Sequence, residues 1–153
     1  MTKLEELEQR AYETDIVLLN RYISKEAKAL SIKEEPLQVI ILDKEKFTSD
    51  AEETCTLAEE IAHFETDSFY HFQEDYNNPV NKQNIAKAEE RAKRHAIRDV
   101  LPCEDIQRAL DKGYTEQYEL ADFLGVTIDF LCKAFEIYQV RGIFFNFGDT
   151  EYA

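Results

Sequence analysis

The chain has 153 residues, 44% hydrophobic and 33% charged, with four glycines and three prolines, which excludes a disordered segment and points to one helix-rich globular domain. A formal net charge of −14 argues against nucleic acid or anionic membrane as partner and favours a basic or neutral protein or a metal ion. The three cysteines, Cys55, Cys103 and Cys132, form no CxxC pair and are odd in number, which argues against a disulfide framework.

The opening MTKLEELEQR lacks the apolar core of a secretory signal, and no apolar run nears the roughly 20 residues of a membrane span. The expectation is a reduced, cytoplasmic protein. Leu4, Leu7 and Ala11 recur at i, i+3, i+7 and predict a first helix from about Thr2 to Tyr12. Asp15 to Ile23 (DIVLLNRYI) holds a short strand followed by a helical turn, two states that pattern alone does not separate. SIKEEP, Ser31 to Pro36, reads as a turn-like link. LQVIILD, Leu37 to Asp43, is compact and β-branched and is the best strand in the chain.

Ser49 and Glu52 have capping-box spacing, so a helix should start near Asp50 and run to about Thr66. A polar aromatic loop, DSFYHFQEDYNNPVNK, follows. A second long helix is expected from about Gln83 to Leu101, stopped by Pro102. Three shorter helices follow: one ends at Gly113, one runs from an N-cap at Thr115 to Gly125, and one runs from an N-cap at Thr127 to before Gly142. The tail FFNFGDTEYA fits no element. These elements make one domain: an N-terminal helix and strands over 1–48, two long helices over 49–102, and a helical part over 103–142.

On a wheel of about 100° per residue, Thr54, Cys55, Leu57, Ala58, Ile61 and Ala62 form the core arc of the helix after Ser49. Glu59 and His63 lie side by side at its edge, one turn apart, so both can reach one point. Glu60 points about a hundred degrees away. This is the layout of an H-E-x-x-H metallopeptidase helix with glutamate in the first ligand place. Carboxylate and imidazole are both ordinary zinc ligands. The competing reading is the solvated face of an acidic helix. On the second long helix, Ile85, Ala92, Ala96 and Val100 make an apolar stripe that includes Glu89. A carboxylate there needs a partner, which could be Arg, Lys or a metal ion. If the two long helices pack together, Glu89 completes a three-ligand set with Glu59 and His63 and leaves a fourth place for water. The alternatives are a buried salt bridge or an edge position that lets the carboxylate reach solvent.

LAEEIAH, then a polar loop, then a helix carrying Glu89-Glu90-Arg91-Ala92 through Ala96 to Leu101-Pro102 resembles the ImmA/IrrE-type metallopeptidases. TEQYELADFLGVTIDFLCKAFEIY is similar to that family's small helical C-terminal part. The resemblance spans roughly Leu37 to Gly142; each motif is loose, but their order and spacing agree. It implies an α+β fold: a zincin-like helical core, a small β-sheet and a C-terminal helical subdomain. It further implies a zinc-dependent cytoplasmic endopeptidase acting as an anti-repressor, which inactivates the repressor of a phage or mobile element by site-specific cleavage. By the same resemblance, Glu59 stands in the first ligand place, His63 is the second ligand, Glu89 the third, and Glu60 the general base. The chain departs from the family at Glu59, usually histidine, and at Ala62, often glycine. Two glutamates and one histidine make a weaker Lewis acid of zinc than neutral imidazoles do.

Two rivals stand beside the enzyme. One is a protein of the same descent that inactivates the repressor by binding alone. The other is a metal-free helical interaction module. His71 reads as a replacement ligand, a substrate-binding group or an exposed loop histidine. His95 reads as a partner of a ligand or as a structural histidine, and Cys55 as a small buried hydrophobe. Thr115 to Arg141 has the look of a helix-turn-helix. Its acids Glu116, Glu119, Asp122, Asp129 and Glu136 outnumber its bases Lys133 and Arg141, which argues against DNA binding.

Overall fold

The structure is a computed structural model, and it describes residues 1–69 and 78–148. It is α+β, with six helices and a three-stranded sheet among the described residues. The order is α1 (Lys3–Glu13), β1 (Val17–Asn20), β2 (Ala29–Glu34), β3 (Leu37–Leu42), α2 (Asp50–Glu65), α3 (Pro79–Val100), α4 (Cys103–Asp111), α5 (Gln117–Leu124) and α6 (Ile128–Val140). None of these helices is long and apolar enough to cross a membrane.

Thr2 opens α1 with a full capping box, exchanging hydrogen bonds with Glu5 in both directions. β3 is the central strand. It pairs parallel to β1 (Val17 opposite Val39) and antiparallel to β2 (Ser31 opposite Ile40). Ile40 is fully buried. The expected link at Ser31 to Pro36 is instead mostly strand, and only Glu35 and Pro36 make the turn. Leu30 and Ile32 alternate with Ser31 and Lys33 in the period-2 pattern of a strand, which the flanking charges obscure. The helical turn expected after β1 does not form. The Arg21 N–H donates to the Leu42 carbonyl at 3.0 Å, which carries the strand pairing one residue further.

α2 begins where Ser49 Oγ accepts from the Glu52 N–H at 3.1 Å. The return half of that capping box is absent, because the Glu52 carboxylate is taken by Lys28 and by the Thr48 hydroxyl. Thr54, Cys55, Leu57, Ala58, Ile61 and Ala62 are all buried, as the wheel requires.

α3 starts four residues before Gln83. Asn78 Oδ1 accepts from the Val80 N–H at 2.9 Å, and Pro79 takes the first helical place, where its missing N–H costs nothing. Its buried face is Ala88, Ala92, Ala96, Ile97 and Val100. Small side chains along this face let α3 lie close against α2, the helix it touches most extensively. The expected stripe is therefore rotated: Ile85 is only partly buried and Glu89 lies at the margin. Arg10 of α1 binds Asp99 of α3 and, at 3.5 Å, Glu65 of α2. His95 Nε2 meets the same Glu65 at 3.4 Å, so His95 belongs to this inter-helix network.

α4 and α6 end and begin as the sequence indicates, and Thr127 Oγ1 caps α6 by accepting from the Phe130 N–H. Thr115 is not the cap of α5. That helix starts at Gln117 behind Glu116, which makes no side-chain cap bond. It ends at Gly125, whose φ of 72° is the left-handed conformation that glycine adopts without strain. Ile143, just before the tail, and Phe145 within it pack on the core, and Phe145 meets Phe135 edge-on at 5.1 Å. His71 and residues 149–153 lie outside the described residues.

Candidate metal centre

Two neighbouring residues of α2, Glu59 and Glu60, open on two different cavities. The first cavity, about 60 Å³, is lined by Ala29, Leu30 and Ser31 of β2, Glu60 and His63 of α2, Ser68 and Phe69 after it, and Glu89 of α3. The second, about 340 Å³, brings Glu59 together with Cys55, Lys93 of α3 and the start of α6. The separation of Glu59 from Glu60 around the helix matches the wheel, and Glu60 is the one that shares a cavity with His63. A residue three places along a helix is as near as one four places along, and β2 and α3 flank the side that Glu60 and His63 share.

His63 is held at both ring nitrogens. The residue is only 6% exposed. Nδ1 lies 2.6 Å from the Ser68 carbonyl. A carbonyl can only accept, so Nδ1 carries the proton and donates it. Ser68 is fixed in turn: its N–H donates to the His63 carbonyl at 2.9 Å, and its hydroxyl accepts from Thr66 at 2.6 Å. Asp67, in the left-handed conformation with φ 51°, makes the turn that places it. An imidazole whose far nitrogen donates to a carbonyl presents a fixed lone pair on the other, as metal-binding histidines do.

That other nitrogen, Nε2, faces Glu89 Oε2 at 3.6 Å. Glu89 is not buried; its side chain is 50% exposed, so it reaches His63 from the rim. Burial works against the charged ring, but the Glu89 carboxylate and the Ser68 carbonyl outweigh it and lift His63 to about 8. Burial also pushes the Glu60 carboxyl up, while the Ser31 hydroxyl, which donates to it, pulls the other way. Burial raises Glu59 as well, with the Lys93 charge opposing and the charges of Glu60 and Glu89 adding to the rise. Cys55 is buried and its thiol is pushed up to about 11 by burial, which keeps it inert.

Among the described residues, no group of three or more His, Cys, Asp or Glu side chains is gathered closely enough to hold a metal ion. A pair is. Two donors about 2.1 Å from zinc at a tetrahedral angle stand about 3.4 Å apart, close to the 3.6 Å between His63 Nε2 and Glu89 Oε2. The spacing of this pair is that of an ion pair, and it also suits two donors to one divalent cation when Nε2 is unprotonated. Glu60 stands in the same cavity, and Glu59 does not. Ser31, Ser68 and Phe69 were not singled out by the sequence. The Leu30/Ile32 alternation could have revealed Ser31, whereas nothing short of the turn geometry marks Ser68.

The family model of the IrrE N-terminal-like domain matches residues 9–136, a stretch that contains Glu59, Glu60, His63 and Glu89. No curated protein and no solved structure matches the chain.

Proposed function

The chain belongs to the IrrE N-terminal-like family and is a metallopeptidase-type protein; from that premise we propose that it is a zinc-dependent endopeptidase of zincin-like build. In this reading it acts in the cytoplasm as an anti-repressor, cutting the repressor of a phage or mobile element, with its three C-terminal helices as a subdomain. The observation that carries the reading is the meeting of His63 Nε2 and Glu89 Oε2 across α2 and α3, in a cavity that also receives Glu60.

His63 and Glu89 would hold the ion. Glu59 is proposed as the third protein donor, by its place in the motif. To serve, its side chain must turn from Lys93 toward His63. When bound, a divalent cation polarises the scissile carbonyl and acidifies water. Glu60 takes the proton from the attacking water on its carboxylate and returns it to the leaving amine as the C–N bond breaks. Its partly desolvated position raises its proton affinity toward the range such a relay requires. Ser68 keeps the His63 ring in one tautomer throughout.

Metal content of the purified protein tests this, with wild type beside His63→Ala and Glu89→Ala. Near-stoichiometric zinc in the wild type, lost in both variants, is expected. A wild type that stays metal-free after zinc is supplied would overturn the reading. Glu60→Gln should keep the metal and abolish cleavage of a co-expressed repressor, whereas surviving cleavage would remove Glu60 from the role. One observation favours the rival binding protein of the same descent: Glu59 lies beside Lys93 in the second cavity. In that reading Glu60→Gln leaves repressor inactivation intact. Burial of Glu89 would count against the metal-free module, and Glu89 is instead half exposed and ion-paired with His63, which that module also allows.

A further inference from the structure

We propose that Ser31 assigns Glu60 its job: it holds the Glu60 carboxylate against β2, out of reach of the ion that His63 and Glu89 would share, so that Glu60 carries protons and does not become a donor. This rests on the metallopeptidase reading above and deepens it. The need for such a residue follows from the cavity. Glu60, His63 and Glu89 all line it, and Glu60 stands one helical turn from His63. A free carboxylate in that position completes a three-donor set, and a carboxylate bound to the ion is no longer available as a base.

The structure supplies the restraint. Ser31 Oγ donates to Glu60 Oε2 and lies 3.2 Å from the backbone carbonyl of the same residue. The single hydroxyl hydrogen goes to the carboxylate, and the Glu60 carbonyl lies beside it as the alternative acceptor, so either way Ser31 stays on Glu60. Ser31 is itself fixed, lying mid-strand in β2 opposite the fully buried Ile40 of β3. Among the described residues, no lysine or arginine forms an ion pair with Glu60, and Ser31 is the side chain that hydrogen-bonds its carboxylate. The contact joins the sheet to the helix that carries the site. It also explains why a polar residue occupies this half-buried strand position between Leu30 and Ile32.

The test uses cobalt(II) as a spectroscopic substitute for zinc in the full chain. Ser31→Thr keeps the hydroxyl, and Ser31→Val has the same shape without it. Ser31→Ala is a second deletion, should valine disturb the strand. Each is titrated with cobalt(II), and its zinc affinity is measured by competition with a chromophoric chelator. Removing the hydroxyl should admit Glu60 as a donor. Zinc affinity in Ser31→Val and Ser31→Ala is expected to rise at least about tenfold, the scale on which groups behind the ligands act. Their cobalt d–d absorption should weaken as the coordination number increases. Ser31→Thr should match the wild type. Adding Glu60→Gln to Ser31→Val should return both readouts to wild type. A wild type that binds cobalt, with Ser31→Val and Ser31→Ala identical to it, overturns this inference and leaves the metal reading intact. A wild type that binds neither metal overturns both.

Discussion

Glu89→Gln removes the negative charge facing His63 and keeps the side chain's size. In the metal-free wild type, His63 sits at about 8 against an ordinary 6.5. Its folded value is raised, so the protonated ring stabilises the fold fully below pH 6.5, and that stabilisation is lost as pH rises through 8. A gap of about 1.5 pH units corresponds to about 2 kcal/mol. Glu89 is half exposed and water screens its charge, so about 1 kcal/mol is the expected share. Urea unfolding in chelator-treated buffer, at intervals from pH 5.5 to 9, measures it. Wild type should exceed Glu89→Gln by about 1 kcal/mol at pH 5.5, with the difference shrinking toward zero by pH 9. A difference that does not change with pH would refute the reasoning. So would His63 ring protons that titrate at or below 6.5 in the wild type.

Zinc must displace the proton on His63 Nε2, so affinity should fall about tenfold for each pH unit below 8; a flat profile between pH 6 and 8 would contradict the assignment. Glu59→His restores an H-E-x-x-H motif and should tighten zinc at least about tenfold, since imidazole suits zinc better than a carboxylate. In the wild type, Lys93→Ala should also tighten zinc by freeing Glu59 to turn; no change in either competition titration would exclude position 59 from the donor set. Ala96→Leu puts bulk where α3 is fully buried and should cost about 1–3 kcal/mol in urea unfolding, with a loss of metal binding if the α2–α3 spacing sets the His63–Glu89 distance.

The elements most legible in the sequence are those with local signals. Thr127 and Ser49 cap their helices, Gly125 ends one, and Leu37 to Leu42 is a strand, all from composition and spacing. The less legible ones depend on partners distant in sequence. Ser31 to Glu34 became strand because β3 offered an unpaired edge, and the charges around it hid a weak alternation. Pro79 lies in a polar aromatic stretch that reads as loop; it is a helix start because residues 79–82 continue into a helix that α2 supports. The stripe from Ile85 to Val100 puts Glu89 on a buried face, yet the packing selects the face led by Ala88, one position away.

The pair Glu59–Glu60 shows the same limit at the site. A helical wheel ranks Glu59 nearest His63, and spacing alone allows either glutamate to join it. The surroundings decide. Two carboxylates share the cavity of one imidazole and a third opens on the next, and each is answered differently: Lys93 opposes the rise of Glu59, the Ser31 hydroxyl binds Glu60, and the His63 ring faces Glu89. Their mutual repulsion is thereby divided among a cation, a hydroxyl and an imidazole carried by three different elements, α3, β2 and α2. Glutamate in place of the usual histidine at position 59 would otherwise add an unanswered charge beside two others. The acidic motif is compatible with a folded metal-free protein because Lys93 and Ser31 are where they are, and neither could be connected to it before the strand and the second helix were placed.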